Sequence, residues 1–326
     1  MKQCVKMGLV VLMLITGSGS ALASAASARP KYVESGLDMQ PIQVSEHAWY
    51  VKGMAGVATS NEGFISNAGF VITPEGVVVY DALGTPSLAQ KLVAEIKKIT
   101  DQPIVKLIVS HYHADHVYGI QVFKALGAEI LAPVGAYKYI DSAIGRERLN
   151  ERRISLYPWV DDDTQLVKPD RILEASERFS LGGVDFLINV VGPAHSDGDM
   201  TLYVENDRVL FSGDIIIEGR IPFLGSVHTK FWLETLEKME MQSLQALVPG
   251  HGSAAKDPAQ TVSLTRRYLA FIREKMAAAV DELQPFDEAY AEIDWSEFSS
   301  LPAFAEANRK NVYQVYLSLE AEALEN

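Results

Sequence analysis

From His47 onward the chain sets short apolar runs between turns rich in Gly, Asn and Pro. The runs 48–51, 69–72 and 77–80 are too short for helices and read as strands. At 86–100 the period changes: apolar residues recur at helical spacing behind Pro86, a residue that suits a first helical position. A buried-type strand follows at 105–110 (V-K-L-I-V-S), then helical spacing over 117–126 and another strand at 129–132. This strand–helix–strand order implies helices packed on sheet faces. Residues 134–153 are helical in pattern and interleave acids with bases. That reads as a solvated helix face, with a cover over a neighbouring site as the alternative. A second β-rich stretch covers 178–181, 184–191, 200–204 and 208–212, and a short strand lies at 246–248. Helices are expected at 230–242 and 258–283. The acidic, aromatic tail from Phe286 repeats its apolar positions over 304–319 as a helix that docks on something. No internal repeat links the two β-rich halves.

Composition adds bounds. With 326 residues, 48% of them hydrophobic, the chain can bury one large core or two smaller ones. A formal net charge of −13 argues against nucleic acid or an anionic membrane surface as the main partner. Residues 1–28 combine a basic start (Lys2, Lys6), an apolar run at 8–16 too short to span a bilayer, and small residues around Ala21-Leu22-Ala23. That is the pattern of a cleaved secretory signal peptide, with a retained anchor as the alternative. The expected mature protein is therefore periplasmic or secreted and free of the membrane after cleavage. Cys4, the single cysteine, lies in this leader, so no disulfide partner and no thiolate metal ligand are expected. The organisation read from the chain is a signal peptide at 1–28, a lead-in at 29–45, a main domain at 46–255 and a helical extension at 256–326.

The densest chemistry lies at Ser110–Gly119, S-H-Y-H-A-D-H-V-Y-G, on a turn at the carboxyl end of a strand. Neutral imidazole and carboxylate are ligands of borderline metals, and open α/β sheets place sites at such strand ends. A solvated polar turn is the bland alternative. Downstream, His195 (G-P-A-H-S-D-G-D), Asp214 (F-S-G-D) and His251 (V-P-G-H-G) each follow a strand, so all can converge at one edge. Five of the seven histidines occupy these positions, leaving His47 and His228.

His111, His113, Asp115 and His116 resemble the H-x-H-x-D-H signature of the metallo-β-lactamase superfamily. The resemblance implies an α/β (α+β) fold, the αββα sandwich, with a C-terminal helical extension. It further implies two Zn2+ per chain, one on His111, His113 and His195, the other on Asp115, His116 and His251, with Asp214 bridging. Asp115 and Asp214 are then the catalytic carboxylates, and a zinc-held hydroxide attacks a small carbonyl substrate. A bridging aspartate is similar to glyoxalase II and lactonase-like members, which favours a thioester, lactone or related ester. β-Lactam hydrolysis and a mononuclear iron persulfide dioxygenase on the same fold are the alternatives. Residues 219–223 (G-R-I-P-F), His228, Trp232 and the tail resemble periplasmic members linked to sulfur oxidation and quinoprotein systems. Asp81, at the end of a strand, is either a support for the metal loop or a turn aspartate. His228 is a substrate contact, a hydrogen-bond donor behind the ligands, or a satisfied structural histidine. Tyr112 and Tyr118 either shape the pocket or pack beneath the loop.

Overall fold

In the computed structural model the described residues are Met1, 31–225, 227–239, 243–255, 257–258 and 263–324. The expected signal peptide, apart from Met1, lies outside them. So do the end of the helix expected at 230–242 and part of the start of that at 258–283. Residues from Tyr32 on form one unit.

Sheet A runs in chain order: β1 (Pro41–Gln43), β2 (Ala48–Val51), β3 (Ala68–Thr73), β4 (Gly76–Tyr80), β5 (Ile104–Ile108), β6 (Glu129–Pro133) and β7 (Arg171–Leu173). Its first four strands pair antiparallel; β4 to β7 pair parallel. The parallel half needs crossovers, supplied by α1 (Pro86–Ile99) and by α2 (Ala114–Val117) with α3 (Ile120–Ala125). Between β6 and β7 lie α4 (Ala136–Ile140) and α5 (Ala143–Ser155). Thr85 caps α1 by accepting from the Leu88 amide, and Pro86 opens it, as the sequence implies. Sheet B has the order β12 (Ala246–Val248), β11 (Val209–Phe211), β10 (Met200–Val204), β9 (Val184–Val190), β8 (Glu177–Leu181). Helices α6 (Thr229–Lys238), α7 (Ser263–Asp281), α8 (Phe286–Glu292) and α9 (Phe304–Leu324) follow sheet B or flank its last strand.

Strand periodicity sorts the core into three layers. In β4, Val77 and Val79 face the helices α1 and α3, while Val78 and Tyr80 face sheet B. In β10, Met200, Leu202 and Val204 meet them between the sheets, and Tyr203 turns to the C-terminal helices. β4 is buried on both faces, which is why it reads as an unbroken V-V-V. The result is the αββα sandwich. The tail is not peripheral: Phe298, Val312 and Val315 are buried in one cluster with Trp232, Tyr268 and Leu247.

Three expectations need correction. The 29–45 lead-in contains β1, paired with β2, and β7 went unseen because three residues carry no readable period. The helix over 117–126 is broken into α2 and α3 at Tyr118 and Gly119. The 134–153 segment is not merely a solvated face, because Lys138, Tyr139, Ile144 and Arg148 border the main cavity.

Candidate metal centre

The ends of β4, β5, β9, β11 and β12 meet at one rim of the sandwich, and each contributes a loop. Ser110 and Met200 join the two sheets there, the Met200 amide donating to the Ser110 carbonyl at 2.8 Å. Tyr80 Oη donates to the Met200 carbonyl at 2.6 Å. This seam brings His111, His113, Asp115 and His116 against His195, Asp214 and His251.

All seven expected ligands converge in three linked groups, His111 with His113 and His195, His111 with His116 and Asp214, and Asp115 with His116 and His251. His111 Nε2 and His195 Nε2 lie 2.9 and 3.0 Å from His113 Nδ1. His116 Nε2 is 3.6 Å from Asp115 Oδ2, and His251 Nε2 is 3.4 Å from the same oxygen. Asp214 stands between the sets: Oδ1 is 3.3 Å from His116 Nε2, and Oδ2 is 3.4 Å from His195 Nε2 and 3.1 Å from His251 Nε2.

The backing groups fix which nitrogens point inward bare. Ser110 Oγ donates its proton to Asp81 Oδ2 (2.8 Å), so it accepts from His111 Nδ1 (2.9 Å) and leaves His111 Nε2 a lone pair. Asp81 Oδ2 also accepts from His116 Nδ1 at 2.8 Å, and the Ile65 carbonyl accepts from His251 Nδ1 at 2.7 Å. Neutral rings held this way aim lone pairs at carboxylate oxygens, which are also acceptors. His116 Nε2 and Asp214 Oδ1 are buried without a hydrogen-bond partner. Such an array of facing acceptors is stable only around a cation. Zinc–nitrogen bonds of about 2.0–2.1 Å in a tetrahedron set ligand atoms about 3.3 Å apart, close to the spacings seen. The residues fit the metals that the sequence implies.

Electrostatics agree. Burial pushes His116 down, but Asp214, Asp115 and Asp81 outweigh it and hold the ring well above its usual range. Burial raises Asp214, yet His251 and His116 hold it well below the carboxylate range. Burial lowers His195 to about 3 and keeps it neutral.

Asp81 takes the supporting position rather than a plain turn. It is buried, has φ 67°, and holds both the Ser110 amide (2.7 Å) and His116. Aspartate tolerates this left-handed conformation better than most residues. His228 is not a satisfied core histidine: it is exposed at the cavity rim, with its ring 5.7 Å from that of Phe231. Tyr118 is buried beneath the loop, whereas Tyr112 borders the cavity and donates to the Val167 carbonyl at 3.2 Å.

Sequence reasoning missed the clamps. Asn67 donates to the Pro249 and Gly252 carbonyls at 2.7 and 2.9 Å, pinning the loop that carries His251. Asp199 accepts from the Ala194 and Ser196 amides at 3.0 and 2.9 Å and so shapes the His195 loop. Burial pushes this carboxyl up to about 6 against those bonds. Its place in H-S-D-G-D was a visible signal; Asn67 had none. Trp232 stacks edge-on to His195 at 4.9 Å and donates Nε1–H to the Ile215 carbonyl.

A cluster of histidines and aspartates that could hold metal, set at the rim of an αββα sandwich, points to a metallohydrolase class. Residues 61–251 match the sequence model of the Metallo-beta-lactamase superfamily, and the chain belongs to that superfamily of hydrolases. Among curated proteins it is similar to a linear primary-alkylsulfatase of Pseudomonas sp. (strain ATCC 19151), 24% identical over 62% of this chain and 45% of that one. It is also similar to a metallo-beta-lactamase type 2 of Elizabethkingia meningoseptica, 23% identical over 58% of this chain and 69% of the other. Among solved structures, the stereoselective inverting sec-alkylsulfatase Pisa1 of Pseudomonas sp. aligns with a TM-score of 0.66 at 18% identity, covering 85% of this chain and 50% of that one. A metallo-beta-lactamase from Pontibacter korlensis aligns at 0.55 and 18%, covering 72% of this chain and 99% of its own. The chain thus spans about half the length of the alkylsulfatases it matches.

Proposed function

We propose that the chain is a dinuclear zinc hydrolase of a small ester-type substrate, thioesters and lactones foremost. The observation that carries this reading is Asp214, whose two oxygens face His116 on one side and His195 and His251 on the other. His111, His113 and His195 would hold one ion, Asp115, His116 and His251 the second, with Asp214 shared. When bound, such a pair supplies Lewis-acid polarisation of a substrate oxygen and a water acidified toward neutral pH.

The chain's own residues do the rest. Asp81, Ser110 and the Ile65 carbonyl orient the rings, so ligand geometry costs no rearrangement when substrate arrives. Trp232 and Tyr118, both buried, keep water from the back of the site. Tyr112, on the cavity wall, donates its hydroxyl proton to the Val167 carbonyl and not toward the ligand cluster. Thiolate and alkoxide leaving groups need less protonation than an amide nitrogen, which supports the ester reading. Sulfate esters are the second reading, favoured by the alkylsulfatase relatives in sequence and in structure.

Metal analysis of anaerobically purified protein tests the first half, with two zinc ions per chain expected. One iron per chain with oxygen-dependent persulfide turnover would replace it with a dioxygenase. A panel of thioesters, lactones, alkyl sulfates and β-lactams tests the second, and a tenfold preference for β-lactams would reverse the substrate order. The leader and the acid excess support an exported, periplasmic or secreted protein whose main partner is not nucleic acid. Mass spectrometry of the exported chain checks this, with the mature terminus expected after the small residues near Ala23.

A further inference from the structure

The cavity in front of the ligands encloses about 710 Å3. In a chain of net charge −13, its wall carries Arg148, Arg152, Lys138, Lys310 and Arg220. Arg148 and Arg152 share Glu151 at 3.4 and 3.5 Å, so their charge is partly spent. Arg220 is different. Its side chain is buried (3% exposed), yet no carboxylate among the described residues lies within ion-pair distance of it. Nε donates to the neighbouring Ile221 carbonyl at 3.3 Å, and Nη1 is buried without a partner. A guanidinium stays charged at any working pH, and burying one unpaired is costly.

The fold holds it there deliberately from the tail. The Ile221 amide donates to the Pro302 carbonyl at 3.0 Å. Asn311 Oδ1 accepts from the Leu224 amide at 3.0 Å, and its Nδ2 donates to the Pro222 carbonyl at 2.6 Å and to Tyr268 Oη at 3.1 Å. The loop 220–224 therefore cannot swing out to hydrate its arginine. Asp115, Asp214 and Glu306 offset part of the burial that lowers this group, but Asp115 and Asp214 point their oxygens at the ligand cluster and none of the three forms an ion pair with it. Beside the guanidinium, 4.9 Å away, the half-exposed ring of Phe223 continues the cavity wall toward Leu224 and Val227.

We propose that Arg220 is the anion-recognition residue of this cavity, and that its ligand carries an oxyanion, carboxylate or sulfate, joined to an apolar body that lies along Phe223. The guanidinium fork matches either group, and a buried cation without a counter-ion is completed by an anionic ligand. This names the substrate class of the hydrolase proposed above; the reaction rests on that reading, while the binding does not.

The test is calorimetric titration of the metal-replete protein with hexanoate, hexane-1-sulfonate and hexan-1-ol. At least one anion should bind tenfold or more tighter than the alcohol, and Arg220→Met should reduce that preference at least tenfold. Sulfonate alone binding tightly points to a sulfate ester; hexanoate alone points to a carboxylate handle retained through the reaction. Failure of both anions to bind, or an unchanged preference in the Met variant, overturns the proposal. Arg220→Gln replaces the Met variant should that one fail to melt cooperatively. A kinetic arm compares aryl hemisuccinates with aryl acetates, where the anionic-to-neutral ratio of kcat/KM should fall tenfold or more in the variant. Anion binding without hydrolysis of any ester would sustain Arg220 and sink the hydrolase reading instead.

Discussion

Gly250 shows how little room the site leaves around its shared carboxylate. A Cβ there would sit 1.9 Å from Asp214 Oδ1 and 2.6 Å from the Gly213 carbonyl carbon, so no side chain fits without moving Asp214. Gly250→Ala should leave every ligand in the sequence yet cut turnover about a hundredfold, the scale of a 1 Å misplacement. Metal content by mass spectrometry should fall below two per chain, and wild-type occupancy with wild-type rate would show that the loop yields freely. Asp214→Asn removes the charge that offsets repulsion between two cations. A hundredfold loss of kcat, about 2.7 kcal/mol at 1.36 kcal/mol per tenfold, is expected together with loss of one metal. Unchanged turnover in this variant would sink the dinuclear reading. Asp81→Asn keeps the volume but puts an amide where His116 Nδ1 and the Ser110 amide both need an acceptor. Metal affinity should drop about 10- to 100-fold by competition with a chelator, the usual cost of removing such an outer partner.

Elements, rather than residues, decide how the cavity is closed. The α4–α5 segment and the C-terminal α9 both line it, one with Arg148, the other with Lys310 and Asn311. Asn311 is buried and satisfies one amide, one carbonyl and one hydroxyl at once. Its replacement by alanine strands those groups, and at roughly 1–3 kcal/mol for a buried unsatisfied partner the net loss should be about 3 kcal/mol. Urea denaturation measures it; a shift below 1 kcal/mol would mean water reaches this seam. Truncation before Phe286 strips Phe298, Val312 and Val315 from a shared core. Such a chain is expected to lose cooperative unfolding altogether, which calorimetry would show.

At the scale of the whole molecule, metals bound as proposed should act as a staple across the two sheets. The candidate ligands come from sheet A (His111, His113, Asp115, His116) and from sheet B (His195, Asp214, His251), so a cation held by both would penalise their separation. Binding at a hundred times Kd contributes about 2.7 kcal/mol per site. At 2–4 °C per kcal/mol for a domain of this size, removing one site's metal should lower Tm by roughly 5–10 °C. Scanning calorimetry before and after exhaustive chelation, followed by zinc addition, checks both the drop and its reversal. An unchanged Tm would place the sheet contact wholly in the apolar layer around Phe186, Leu202 and Val78.

The sequence by itself determined the strands whose apolar runs have a period, the helix opened by Pro86, and the seven candidate ligand positions that meet at one rim, because each lies in a short segment whose chemistry is local. Asp81 was legible as a position but not as a role. Tertiary structure alone decided what depends on distant segments meeting. Asn67 clamps a loop more than 180 residues away, and β1 and β7 exist only because neighbouring strands supply their hydrogen bonds. Arg220 stood in plain view in G-R-I-P-F. Its lack of a partner follows from burial and from the tail's grip on its loop, and neither is written in the order of residues around it.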